Sequence, residues 1–404
     1  MTVLLFATLD TKGDEAAYLR DQLRANGIAV ALVDTGCLGE PRTAPDIARE
    51  ELFRAAGTTL AALRTQGDRG EAVGAAARGA EVLARRFHER GELEGVLGLG
   101  GGAGTTIGTA AMRALPIGVP KLMVSTLSSG QVAHFVGSSD VMMLNSVVDI
   151  AGLNRISRAV LARAAQAMGG MARGRLPAPD AGDKPLVAAS MFGVTTPCVE
   201  RARAVLERNG CEVLVFHATG SGGRTLESLA ASGLLAAVLD ITTTELADEL
   251  VGGFLSAGPE RLTAAGRAGI PQVVSVGALD MVNFHGRESV PEKFRGRQLY
   301  RHNEHVTLMR TTPAECRELG RTIGRKLAAA RGEAAILFPR RGVSALDREG
   351  QPFYDPAARA ELFQGLSESH AAVPLVDLDL HINDPAFGEA CANELLVRMR
   401  RTAS

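Results

Sequence analysis

The sequence predicts an α/β protein made of two similar Rossmann-like domains, each a mostly parallel sheet with helices on both faces. Three observations carry this. Short, β-rich apolar runs alternate with stretches of helical period along the 404 residues. One order of elements (strand, polar turn, helix, Asn-Gly, strand, Thr-Gly) occurs at the start and again past residue 185. A Gly-rich turn, Gly98 to Thr106, joins an apolar run to a helical one.

The first repeat opens with Val3 to Thr8 and the polar turn Thr11-Lys12-Gly13-Asp14-Glu15. A helical pattern runs through Leu19 and Leu23 to an Asn26-Gly27 stop, and a second strand, Ile28 to Val33, ends in Asp34-Thr35-Gly36. The second repeat opens with Leu186 to Gly193, turns at Thr195-Thr196-Pro197 and stops its helix at Asn209-Gly210. Its next strand, Val213 to Phe216, ends in His217-Ala218-Thr219-Gly220. Each is the βαβ opening of a parallel sheet. Gly169 to Asp183 is rich in Gly, Pro and charge with no period, so the expected organisation is a domain over 1–172, a linker over 173–184 and a second domain over 185–404.

Composition removes several classes. A net charge of -1 leaves no basic footprint, and 4% aromatic residues with no Trp leave little to stack on bases, so nucleic acid is not an expected partner. No apolar run reaches membrane-spanning length. Met1 to Phe6 lacks a basic leader and reads as a first strand, not a signal peptide. The five cysteines form no Cys-x-x-Cys pair and read as reduced thiols of a cytoplasmic protein.

The Gly-rich turn follows Val96-Leu97, read as the end of a strand, and precedes Ile107 to Leu115, read as a helix. Glycines there let the backbone approach an anion such as a nucleotide phosphate at the first amides of the helix. They equally suit a tight turn or close packing of helix on sheet, and the residues alone leave both open. No Gly-Lys dipeptide occurs, which excludes a P-loop. Gly98-x-Gly100-x-x-Ala103 fits the loose dinucleotide fingerprint, but Lys121 to Thr126 offers no acid for a ribose, which disfavours a nicotinamide dehydrogenase.

Ligands of open parallel sheets sit beyond the carboxyl ends of the strands. In the first half those positions hold Asp10-Thr11-Lys12, Asp34-Thr35, the Gly turn and Ser125 to Gly130. In the second half they hold His217 with a second Gly-rich turn at Thr219 to Gly223, Glu245 after Thr242-Thr243-Thr244, Asp280, Arg340-Arg341-Gly342-Val343-Ser344 and His381. His217, Glu245, Asp280 and His381 are the acid/base candidates, and helix capping is the competing role for each such position. His302-x-x-His305 lacks the Glu of a zinc helix, and no metal site is expected.

Thr8 to Glu15, the Gly turn, Leu115 to Lys121 and Ser146 to Asn154 closely resemble the UPF0261 family, the group related to the nucleotide-binding region of a tomato mosaic virus resistance protein. So do Phe216 to Gly220, Leu239 to Glu245, Gly277 to Asp280, Thr307 to Thr312 and His381 to Pro385. The resemblance implies two Rossmann-like domains, a homodimer, and ATP, with or without Mg²⁺, held by the first domain. Carried over by motif, the binding residues are Asp10, Thr11, Lys12 and Thr35, then Gly101, Gly102, Ala103, Gly104 and Thr105, with Arg69 from Gly67-Asp68-Arg69-Gly70. Ala103 stands where the family often has Ser, which removes a side-chain hydrogen bond and keeps the backbone amides. In this reading the amides of Gly101 to Gly104 hold phosphate oxygens, Lys12 neutralises charge, and Asp10 orients Lys12 or holds Mg²⁺ through water. The expected function is nucleotide binding, with a second ligand in a cleft between the halves. The alternatives are a hydrolase or carbon-carbon lyase acting on a small acyl or sugar-derived metabolite, or a non-catalytic regulatory protein.

Overall fold

Strand β1 (Thr2–Ala7) is apolar from Val3 onward because both its faces are covered. Leu4 and Phe6 point into one core, whereas Val3, Leu5 and Ala7 point into another on the opposite face. The computed structural model describes residues 1–174 and 182–402 and divides into two compact units, Met1–Pro179 and Asp180–Ser404. Much of the expected linker, 173–184, lies outside the described residues.

In the first unit β1 is followed by α1 (Leu9–Ala25), β2 (Val30–Asp34), α2 (Arg49–Ala55), α3 (Leu60–Gln66), α4 (Arg69–Glu89), β3 (Leu93–Gly100) and α5 (Gly102–Arg113). Then come β4 (Lys121–Ser125), α6 (Ala133–Val136), β5 (Met142–Asn145) and α7 (Arg155–Arg173). The five strands are all parallel in the order β2-β1-β3-β4-β5. One face packs on α2 to α5 and the other on α1 and α7. Ala7 lies opposite both Asp34 and Leu99, so the loops after β1, β2 and β3 leave the sheet at one level. The order reverses between β1 and β3, and this is the switch point where an open sheet leaves a crevice.

The second unit runs β6 (Leu186–Met191), α8 (Thr196–Arg208), β7 (Glu212–His217), α9 (Ser221–Ala231), β8 (Ala237–Thr242), α10 (Thr244–Val251), α11 (Ala264–Ala268) and β9 (Gln272–Gly277). It continues with β10 (Met281–Phe284), β11 (Leu299–Arg301), β12 (Thr307–Arg310), α12 (Pro313–Ala328), β13 (Ala334–Pro339), α13 (Pro356–Ser369), β14 (Leu375–Leu378) and α14 (Pro385–Thr402). Six parallel strands take the order β7-β6-β8-β9-β13-β14, with α8 and α14 on one face and α9 to α13 on the other. The fold class is thus the predicted one. An addition is the antiparallel sheet β10-β12-β11, inserted between β9 and α12 and packed on the same core as α12. No helix among the described residues is long and apolar enough to cross a membrane.

Candidate functional site

The crevice at the β1/β3 reversal is a cavity of about 210 Å³, bordered by Thr8, Asp10, Thr11, Lys12, Thr35, Arg69 and Gly101 to Gly104. Cys37, Leu38, Val73 and Ile107 complete it as an apolar side. The structure therefore brings together every binding residue expected in the first half except Thr105.

Helix α5 begins inside the glycines, earlier than Ile107, and β3 extends through Gly100. The first main-chain bond of α5 runs from the Thr105 N–H to the Gly101 carbonyl at 2.8 Å, and no side chain caps the helix. Among the described residues, the N–H groups of Gly102, Ala103 and Gly104 have no partner, as the opening turn of a helix requires, and they stand at the cavity wall. The glycines fall into two groups by what surrounds them. A Cβ at Gly100 would lie 2.8 Å from the Gly104 Cα, and one at Gly104 would lie 2.9 Å from the Leu99 carbonyl oxygen, so these two let the helix close on the strand. A Cβ at Gly102 would meet nothing within 4 Å. Thr105 turns the other way: it is fully buried, its hydroxyl lies 2.6 Å from the Ser125 Oγ, and with its N–H also spent it fastens α5 to β4.

Asp10 and Lys12 do not pair. The Asp10 Oδ2 accepts the N–H groups of Leu38 (2.9 Å) and Gly39 (3.1 Å), so the carboxylate braces the loop after β2. Asp34 does the same inward, with Oδ1 accepting from Leu9 (3.2 Å) and Gly36 (2.8 Å). Burial pushes the Asp34 carboxyl up, against the pull of those N–H groups and of Arg49. Burial likewise raises the Cys37 thiol to about 11, with Asp10 and Asp34 adding to the effect, which disfavours the thiolate. Lys12 sits at a break in α1, with φ -124° and ψ 23°, and its ammonium donates to the Ile150 carbonyl. Thr35 is 1% exposed and its hydroxyl is buried without a partner at this cavity. Arg69 is exposed at the first turn of α4, where no ion-pair partner is found among the described residues. Cys37, Leu38, Val73 and Ile107 carry no binding signal in the sequence. The last two are ordinary apolar helix positions, and only the topology brings them here.

The four acid/base candidates of the second unit separate. His217 is exposed at the end of β7, an edge strand, and makes no side-chain bond among the described residues. Glu245 is fully buried and occupies the second Gly-rich turn: its Oε1 accepts the N–H groups of Gly220 (2.7 Å) and Gly223 (3.0 Å), and its Oε2 accepts from the Arg261 Nε (2.6 Å). Arg261, also buried, bonds Asp240 through Nη2 at 2.7 Å and Glu227 through Nη1 at 3.2 Å. Glu245 is thus a completely buried carboxylate that holds the start of α9, with both oxygens already accepting bonds from the protein. Arg261, which completes it, had no signal in sequence.

Asp280 and His381 do converge, on Ser344. The Ser344 hydroxyl donates to the Asp280 Oδ2 at 2.7 Å, and its carbonyl accepts from the His381 Nε2 at 3.0 Å. The His381 Nδ1 accepts the Asn383 N–H at 3.1 Å, which fixes the tautomer, and burial together with Arg348 pulls the imidazole below its usual range. Burial and the neighbouring Asp347 push Asp280 up, and its Oδ1 has no partner. The spacing imitates a catalytic triad, but both ring nitrogens bond main chain and the serine is completely buried. Beside it, a cavity of about 390 Å³ is ringed by Arg340, Arg341, Arg348 and Arg359. Each of these arginines already pairs with an acid, respectively Asp377, Asp379, Asp384 and Asp347.

The chain matches the N-terminal domain of the uncharacterised protein family UPF0261 over residues 1–177 and the C-terminal domain of that family over 184–399. It is 46% identical over 99% of its length to a UPF0261 protein of Clostridium tetani, 99% of which is covered. It is 50% identical over 96% of its length to one of Rhizobium meliloti, 96% of which is covered. It is 38% identical over 98% of its length to the ToMV resistance protein Tm-1(GCR237) of Solanum lycopersicum, spanning 55% of that protein.

Proposed function

The chain belongs to the UPF0261 family, and we propose that its first unit binds ATP or a related phosphorylated ligand, with the phosphates at the start of α5. One observation carries this reading: three unpartnered N–H groups, of Gly102, Ala103 and Gly104, border the cavity at the β1/β3 reversal, and the helix dipole makes that end favourable to an anion. Lys12 and Arg69 supply positive charge at the same wall, and the buried Thr35 hydroxyl is a polar group awaiting a partner. The volume of about 210 Å³ suits the phosphates better than a whole nucleotide. Val73, Ile107 and Leu38 give the rest of the ligand an apolar surface. Binding is favoured over turnover, because Glu245 and His381 are spent on structure.

Isothermal titration with ATP and Mg²⁺ tests this. The wild-type protein is expected to release heat on saturation and Lys12→Ala to bind roughly ten- to a hundredfold more weakly, the range of one charged hydrogen bond. No heat with ATP and none with tripolyphosphate would refute a phosphate site.

A further inference from the structure

Lys12 is shared between two structures. It borders the phosphate cavity, yet its ammonium is committed to the Ile150 carbonyl in the loop after β5. That loop, 146–154, is tightly wound: the Ser146 Oγ bonds the Val148 carbonyl at 2.7 Å, and the Asn145 side chain accepts the Val147 N–H at 3.1 Å. Val147 is held at φ 66°, a left-handed conformation that a β-branched residue rarely adopts, and is 66% exposed. Two hydrogen bonds tie the loop to α1, from the Lys12 ammonium and to the buried Glu15 carboxylate, which accepts the Gly152 N–H at 2.6 Å, while the Ile150 side chain is buried in the core that α1 shares. An anion in the cavity competes for the first tether and leaves the second.

We propose that Lys12 couples the cavity to the 146–154 loop: a bound phosphate draws the ammonium off the Ile150 carbonyl, and the strained loop then loosens at the β5 edge of the sheet. The coupling rests on the phosphate reading of the cavity. It is reciprocal, since a loop that holds Lys12 opposes the ligand by the same factor that the ligand opposes the loop. Occupancy of the crevice is thereby reported at the surface around Val147, where the sheet ends.

Hydrogen exchange followed by mass spectrometry tests the coupling, with ATP binding measured on the same samples by calorimetry. At saturating ATP, amides of 146–154 are expected to exchange roughly tenfold faster, the factor carried by one bond to a charged donor. Lys12→Met should show the faster exchange with no ligand and gain nothing when ATP is added. Arg69→Ala, which removes charge from the cavity without touching the loop, should need more ATP yet reach the same loosened state. ATP that binds while 146–154 keeps its protection overturns the coupling and leaves the phosphate site standing. Failure of both ATP and tripolyphosphate to bind overturns both. If Lys12→Met fails to fold, the wild-type comparison with and without ATP decides alone.

Discussion

Replacing Glu245 by glutamine separates a structural carboxylate from a catalytic one. The side chain is completely buried and accepts three hydrogen bonds, two from the main chain of Gly220 and Gly223 and one from the Arg261 Nε. Glutamine keeps the shape but offers one acceptor oxygen. Its NH₂ must therefore face either the two glycine N–H groups or the guanidinium, donor against donor. A buried donor left unsatisfied costs about 1–3 kcal/mol, and breaking a buried ion pair by neutralising one partner costs about 3–5 kcal/mol. Asp240 and Glu227 still hold Arg261, which places Glu245→Gln at the lower end, about 3 kcal/mol. Urea unfolding, followed by a signal from the second unit, reads this directly, and ATP titration of the same variant should be unchanged. A loss under about 1 kcal/mol, the size of an ordinary surface substitution, would refute the capping role and return Glu245 to the list of candidate acids.

Three further outcomes follow from the geometry. Gly104→Ala should lose about 1–3 kcal/mol in urea unfolding because its methyl meets the Leu99 carbonyl, whereas Gly102→Ala should keep its stability; equal losses would contradict the division between packing and cavity glycines. Thr105→Val should cost about 1–2 kcal/mol through the broken Ser125 bond and leave ATP affinity intact, since its hydroxyl faces the sheet. Burial raises Asp248 from an ordinary 3.8 to about 7, so its contribution to stability is fully present below pH 4 and lost as pH rises through 7, about 4 kcal/mol in all. Asp248→Asn should flatten the stability profile between pH 4 and 7, with the Asn283 amide turned over so that its partnerless Oδ1 accepts from the new NH₂; an unaltered slope would assign the pH dependence elsewhere.

The two halves and their parallel strands were legible because both faces of each sheet are covered, which leaves unbroken apolar runs such as Val3 to Ala7 and Ala334 to Phe338. Part of the first-half crevice was legible for a related reason: Asp10 to Lys12, Thr35 and Gly101 to Gly104 follow closely on strands β1, β2 and β3, and neighbours in the sheet bring those positions together. What escaped was anything decided by a distant partner. Gly98 to Gly104 and Thr219 to Gly223 look alike as sequences, yet one turn stands open and the other is filled by a carboxylate twenty-two residues beyond Gly223. Arg261 reaches that carboxylate from an irregular segment with no period of its own. The β10-β12-β11 sheet escaped because its strands are three or four residues long, too short to show alternation.

The filled turn has a thermal consequence. A binding site gains free energy from its guest only as the guest's concentration rises, by about 2.7 kcal/mol at a hundredfold excess over Kd. The second unit carries its own negative tenant at that turn, covalently supplied and always present, so that turn has nothing to gain from solute. In scanning calorimetry, phosphorylated ligands should move the endotherm of Met1–Pro179 upward and leave that of Asp180–Ser404 where it stands.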